Sequence, residues 1–293
     1  MNAKTWKTAL WMPLLLILTA FDFPYTTGQS VEMANLCETS NSAFKAGEEL
    51  TYKVYYNWNF VWLSAGEVTF RVRDVNGEYH LSAHGSTYKS YDWFFKVRDK
   101  YDTYVDKKTL LPRLSIRDVN EGKYSLYDAV TFDRPAGKAT SLRGKTKDIA
   151  TPTDYTVNPC AHDILSILYY ARNLNYSKMR SGQTIPVNIF IDKEEWNLKV
   201  SYLGKEESKK VRNLGRFRAV KLSPQVIEGY VFKKDARLTI WASDDENRVP
   251  LVIESPVSVG SVKVILKSYK NLRYPVTSKV GEDDGVDEDG IKD

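Results

Sequence analysis

Cysteine, histidine and methionine are scarce in this 293-residue chain: two Cys, three His and four Met. Two cysteines exclude a disulfide-dense mini-domain, and with neither in a Cys-x-x-Cys they suggest no thiol redox chemistry. The histidines do not gather into a metal set. His80 and His84, in "YHLSAHG", lie on a stretch that alternates as a strand. There they would stand ~13 Å apart, too far for one ion with bonds near ~2 Å. His162 has only its neighbour Asp163 to suggest chemistry, so all three read as structural. Also missing are the GxSxG elbow, the Walker loop, HExxH and the EF-hand loop. The acid pairs Asp244-Asp245 and Glu194-Glu195 fall in turns, where solvated charge is the default. A carboxylate pair assembled from distant strands stays open. Otherwise nothing points to an enzyme, a cofactor or a metal.

Long apolar runs are missing too, with one exception. Residues 9–21, "ALWMPLLLILTAF", follow Lys4 and Lys7, and small residues Thr26 and Gly28 precede Gln29. This is the pattern of a signal peptide over 1–28. The run is shorter than the ~20 residues that span a bilayer, and an uncleaved anchor is the alternative. "ANLC" at 34–37 is a poor lipobox. Export, to the periplasm or in association with the outer membrane, would place Cys37 and Cys160 where an isolated pair most simply forms one disulfide. Two free buried thiols are the alternative. At the other end, residues 282–293 hold seven acids and one Lys, a composition that reads as a disordered, solvated tail. Between these ends, residues 29–281 carry +10. That favours anionic surfaces or ligands, or serves solubility alone; no tight Lys/Arg motif suggests nucleic acid.

What is abundant is alternation with a period of two. "EVTFRVR" (67–73) sets Val68, Phe70 and Val72 against polar neighbours, and Asn76-Gly77 then signals a tight hairpin. Similar stretches predict some twelve to thirteen strands in an antiparallel curved sheet or barrel. One segment departs: "NPCAHDILSILYYARNL" spaces Ile164, Ile167, Leu168 and Ala171 as a helical stripe, predicting a helix over about 159–173. Asn158 would cap it, Pro159 would open it, and Arg172 would face the negative end of its dipole. A phrase also recurs. "DKKTLLPRLSIRD" (106–118) and "DDENRVPLVIES" (244–255) are each an acidic turn and a Pro opening a strand. Asp106/Asp244, Pro112/Pro250 and Gly122/Gly260 share an offset of 138. We read two pseudo-repeats, about 46–133 and 181–271, merged in a single domain of 42–281 after an arm of 29–41; the alternative is that an antiparallel meander simply reuses its turn chemistry.

Aromatics supply the candidate site. Tyr52, Tyr56, Trp58, Phe60 and Trp62 hold even positions, and a second cluster contains Trp93 and Phe95. On one continuous strand the first set would line one face. Core packing accounts for many of them. The functional alternative is a cavity for a lipid tail or glycan ring, with Tyr56, Trp58, Phe60, Trp62, Trp93 and Phe95 as its candidate residues. The 93–95 cluster could instead form a tip in peripheral contact with a membrane.

Several stretches together resemble the bacterial family known as domain of unknown function 3108: Gly47-Glu48…Leu50-x-Tyr52, "YYNWNFVWLSAGE" (55–67), "TLLPR" (109–113), "HDILSILYYAR" (162–172) and "SDDENRVPLVIESPVSVGSVKV" (243–264). The resemblance covers about 42–275, and its aromatic-rich form is similar to that of Bacteroidetes proteins. It implies an exported, mostly β protein and supplies no catalytic residues. A fainter similarity, at the level of fold, is to periplasmic lipoprotein carriers. The expectation is an exported, non-enzymatic envelope protein that binds an anionic amphiphile, lipid or lipopolysaccharide-like. The alternative is an assembly scaffold binding another envelope protein or peptidoglycan.

Overall fold

The computed structural model describes residues 37, 39–58, 61–93, 95–227, 237–256, 260–285 and 291–292. The expected signal peptide and most of the arm lie outside the described residues. The first half of the chain supplies β1 (Glu49–Trp58), β2 (Val61–Val75), β3 (Glu78–Thr87), β4 (Arg98–Val105), β5 (Pro112–Glu121), β6 (Tyr124–Asp133), β7 (Lys138–Gly144) and β8 (Thr151–Thr156). Helix α1 (Ile164–Ala171) separates them from β9 (Thr184–Ile191), β10 (Glu194–Val211), β11 (Gly215–Pro224), β12 (Thr239–Ser243), β13 (Pro250–Pro256) and β14 (Ser261–Lys270). Two short strands follow, β15 (Lys279–Gly281) on β11 and β16 (Ile291–Lys292) on β2.

The chain is mostly β, and its long strands form one antiparallel meander. Each strand pairs with its sequence neighbour, and β14 returns to pair with β1. The β2–β3 hairpin forms as the sequence predicts: Asn76 and Gly77 both take positive φ, 52° and 85°, which the right-handed twist of the strands favours. Its register sets Phe70 opposite Ala83 and Val72 opposite Leu81. This fixes one buried face, because a one-residue slip would turn all four outward.

β8 and β9 stand at the two ends of the strand order and do not pair. The sheet nevertheless curls until they meet. Phe190 of β9 packs against Phe132 and Tyr155, with ring centroids 6.1 and 5.5 Å apart. Asp192, in the β9–β10 turn, accepts from Arg117 (2.7 Å) and Arg143 (3.0 Å), which both also hold the buried Asp128. The result is barrel-like but not closed.

α1 is shorter than the sequence suggests. It starts after Asp163, which accepts from the Ser166 amide while Ser166 Oγ accepts from the Asp163 amide. The Asn158-Pro159 signal instead makes a turn, with Asn158 Oδ1 accepting from the Cys160 amide. Residues after that turn are drawn extended along β9: His162 N–H donates to Asn188 O and Phe190 N–H to His162 O, both at 2.8 Å. Pairing with the sheet outweighs two or three more helical residues. Cys160 in this turn is bonded to Cys37, with Cα atoms 5.5 Å apart. Arg172 is the C-cap of α1, but its guanidinium serves a buried carboxylate rather than the helix dipole.

The two proline phrases occupy equivalent places. Pro112 opens β5, the fifth strand of β1–β6, and Pro250 opens β13, the fifth of β9–β14. Each is preceded two residues earlier by a left-handed residue, Leu110 (φ 55°) and Arg248 (φ 46°), again offset by 138. In both turns an Asp side chain, Asp106 or Asp245, accepts from backbone amides two and three residues on. The acidic tail is not wholly solvated among the described residues: Asp284 pairs with Lys210 and Arg216, and Asp283 with Lys210.

Candidate apolar cavity under the helix

Residues ahead of β1 build the site's floor. Gly47 takes φ 91°, which lets the chain turn Glu48 inward, where it is 1% exposed. A carboxylate there needs a partner. Arg172 supplies it in a two-pronged pair, Nη1 to Oε1 at 2.6 Å and Nη2 to Oε2 at 2.9 Å. Arg172 Nε also donates to Asn247 O, between β12 and β13, and the guanidinium lies 5.5 Å from the ring centroids of Phe44 and Tyr169. Burial alone would depress the Arg172 pKa, but the Glu48 carboxylate outweighs it and the net direction is up.

Beside this pair lies a partly open cavity of about 170 Å³. Leu50 and Tyr52 of β1, Val68 and Phe70 of β2, and Leu168 and Tyr169 of α1 form much of its wall; Ile240, Pro250, Ile253 and Val264 come from the second half. The Tyr52 ring meets Phe70 edge-on, centroids 5.6 Å apart, and its hydroxyl donates to Pro250 O at 2.9 Å. Tyr169 differs. Its side chain is buried, and its hydroxyl has no hydrogen-bond partner. Burial, then the nearby Glu48 charge, push its pKa up, so it remains a neutral donor. The cavity therefore combines apolar walls with one unused hydroxyl. Three of the stretches that carried the family resemblance meet here: Glu48 to Tyr52, Leu168 to Arg172, and Asn247 to Ile253.

The predicted aromatic stripe does not form one face. The register shifts between Thr51 and Tyr52 against β14, and between Val54 and Tyr55 against β2. These bulges bury Tyr52 and Tyr55, three residues apart, while Tyr56 is half-buried. Trp62 is half-buried with the Lys263 ammonium 4.8 Å from its ring centroid. Phe60 lies outside the described residues, and Trp58 ends β1. Trp93 and Phe95 sit on the exposed β3–β4 connection. Tyr56, Trp62, Trp93 and Phe95 do not line the cavity. Sequence reasoning missed its lining because those residues come from five strands and a helix, each looking like ordinary core.

His80 and His162 are tied into the fold, while His84 is exposed. His80 Nε2 lies 2.7 Å from Asp102 Oδ1, and its ring stacks on Tyr104. His162 is buried, with Nδ1 3.0 Å from Ser166 Oγ. Asp163 instead accepts from Thr103 and Ser115, so the three side chains do not line up as a nucleophilic triad. Burial lowers the His162 pKa to about 4, with Arg134 also lowering it and Asp163 opposing. The unfolded chain would bind a proton near ~6.5. Between that pH and about 4 the unfolded state holds more protons, so stability falls as pH falls, by up to ~3 kcal/mol. Urea titrations at stepped pH should show this loss, and His162→Asn should flatten it; an unchanged slope would show that other groups carry it. Among the described residues no three His, Cys, Asp or Glu gather as a metal would require, and no helix is long and apolar enough to cross a membrane.

Comparison with solved structures supports the barrel-like description. The chain is similar to the β-barrel-like protein of domain of unknown function DUF1849 from Brucella abortus, at 9% identity and a TM-score of 0.55, over 78% of this chain and 99% of that one. Matches at lower TM-score, 0.29 and 0.28, are a candidate exported protein with a YmcC-like fold from Bacteroides fragilis (11% identity) and a candidate lipoprotein from Parabacteroides distasonis (12%). Each covers 79% of this chain and 99% of its own. No curated protein matches. The family described as "Protein of unknown function (DUF3108)" matches residues 51–267, and the chain belongs to that family.

Proposed function

We propose that this chain works in the cell envelope, periplasmic or outer-membrane-associated, as a non-enzymatic protein that holds the apolar part of an anionic amphiphile between α1 and the curved sheet. The observation that carries the reading is the cavity: apolar walls, partial opening and the unpartnered Tyr169 hydroxyl. Its volume is of the order of an engineered ~150 Å³ apolar cavity that takes up benzene. It suits a ring or a short stretch of acyl chain, not a whole lipid. Burying six methylenes would contribute about 5 kcal/mol, and the Tyr169 hydroxyl would give the ligand one hydrogen bond. A hydrophobic envelope leader at 1–28 and the basic body are in keeping with a lipid or lipopolysaccharide-like ligand.

Native mass spectrometry of protein purified from envelope extracts should find a co-purifying lipid. Ile253→Phe, which fills the cavity, should lose it. Tyr169→Phe should weaken retention while leaving the fold intact or stabilised by about 1 kcal/mol, because an unsatisfied buried hydroxyl is removed. If no lipid is retained and the stripped protein takes up no fluorescent fatty acid, the scaffold alternative takes its place.

A further inference from the structure

In a meander of this kind every connection from an odd to the next even strand lies at one end of the sheet. Three of these are neighbours: β3–β4, β5–β6 and β7–β8. The first two are tied together, since Gly122 N–H donates to Lys96 O and the Phe95 ring lies so near Gly122 that an added Cβ would come within 3.2 Å of it. At or beside these connections stand four of the six large hydrophobic side chains exposed among the described residues: Trp93 (84%), Phe95 (48%), Tyr124 (53%) and Ile149 (64%). The other two, Leu203 and Val280, lie on β10 and β15.

The same end is basic. Lys89, Lys96, Lys123, Lys145, Lys147 and Lys193 are all exposed on its connections. No ion pair of any of the six is formed among the described residues. Lys123, Lys145 and Lys193 rim an open groove of about 590 Å³ that also takes in Tyr124, Tyr155 and Arg143, and no acidic side chain lines it. Of the acids nearby, Asp92 is held by Arg98, and Asp192 by Arg117 and Arg143. Asp148 and Glu194 are exposed, and the half-buried Glu121 and Asp99, beside the β5–β6 connection, hydrogen-bond to each other rather than to a cation.

We propose that this end docks on an anionic phospholipid surface, with Trp93, Phe95, Tyr124 and Ile149 entering the headgroup layer and the lysines meeting lipid phosphates. Trp and Tyr favour the membrane–water boundary, where an apolar ring and a polar tip are both accommodated. Lysines close to such a surface are drawn to its negative potential within a Debye length. The anchors are spread over three neighbouring connections, Trp93 and Phe95 on one and Tyr124 and Ile149 at the other two, with lysines between them, which suits a sheet of repeated phosphates better than one protein pocket. The cavity below α1 lies toward the opposite end, near Gly47 and Glu48, so docking and cavity binding are separable.

The test is co-sedimentation of the envelope-purified protein with vesicles of phosphatidylglycerol and phosphatidylcholine in equal parts, and of phosphatidylcholine alone. The wild type should bind the anionic vesicles at least about tenfold more tightly, and added salt should weaken the binding. Trp93→Ser with Phe95→Ser, and separately Lys123→Glu with Lys145→Glu, should each lower it about tenfold or more. Leu203→Ser and the cavity-filling Ile253→Phe should leave it unchanged. Thermal melts check folding, and Lys147→Glu with Lys193→Glu replaces any pair that melts early. Equal binding to both vesicle types, no binding, or undiminished binding by folded variants of both pairs would overturn the proposal. So would loss of a co-purifying protein from the Trp93/Phe95 variant while vesicle binding is unchanged.

Discussion

Replacing Arg172 with Met should destabilise the protein by about 3–5 kcal/mol. That corresponds to a fall in Tm of roughly 6–20 °C for a domain of this size. The reason is what is left behind. Glu48 is 1% exposed, and without Arg172 its carboxylate would be buried with neither a countercharge nor its two short hydrogen bonds. Arg172 also joins three chain segments, through Ala43 O, Glu48 and Asn247 O. The arm, the start of β1 and the β12–β13 turn would loosen together. Reversing the order of removal gives the control: Glu48→Leu combined with Arg172→Met should recover much of the loss, because no unpaired charge remains. A double-mutant cycle measured by urea denaturation separates the two cases. If Arg172→Met alone stays within about 1 kcal/mol of the wild type, the pair does not organise the site.

The pair also shows where sequence reasoning stops. Arg172 was visible as a cation at a helix end, and a helix end suggests the dipole. Nothing in the local pattern linked it to Glu48, 124 residues away. The same holds for the cavity, whose wall joins β1, β2, α1, β12, β13 and β14. By contrast, features fixed by neighbouring residues were legible: the Asn76-Gly77 hairpin and the two strand-opening prolines. The Cys37–Cys160 pairing is long-range, but it was legible because the chain has only two cysteines.

β7 and β8 lie between the two pseudo-repeats read from the sequence, and a physical reason hides them there. The inward residues of β7 include Ala139 and Ser141, and Ser141 donates to the buried Asp128. A buried polar ladder of this kind leaves no apolar alternation to read. β8 is largely exposed at the sheet's end, so burial imposed no pattern there either. The aromatic stripe failed differently. The even positions from Tyr52 to Trp62 share a period of two in the sequence, but bulges at Thr51/Tyr52 and Val54/Tyr55 add a residue and reverse which side chains face inward. Sequence alone offers no marker for them in "ELTYKVYYNW".

Removing the Cys37–Cys160 bond should have the other large effect. The two cysteines are 123 residues apart. A loop of that length gives about 5 kcal/mol in the chain-entropy model, with 2–4 kcal/mol more typical of measured bridges. Residues 42–44, which follow the arm, have attachments of their own. Phe44 is fully buried against Tyr79 and Tyr169, and Asn173 Oδ1 accepts from the Ser42 and Ala43 amides. Breaking the bond should therefore leave residues 42–44 in place and act mainly by freeing the unfolded chain. The expected outcome is a Cys37→Ser, Cys160→Ser protein that is less stable by about 2–5 kcal/mol yet keeps its spectrum at low urea. Its m-value should rise, because an unfolded chain without the cross-link exposes more surface. Thiol labelling of the envelope-purified wild type, denatured without reductant, should find no free Cys. Two labelled thiols, or a double variant as stable as the wild type, would show that the bridge does not hold the protein together.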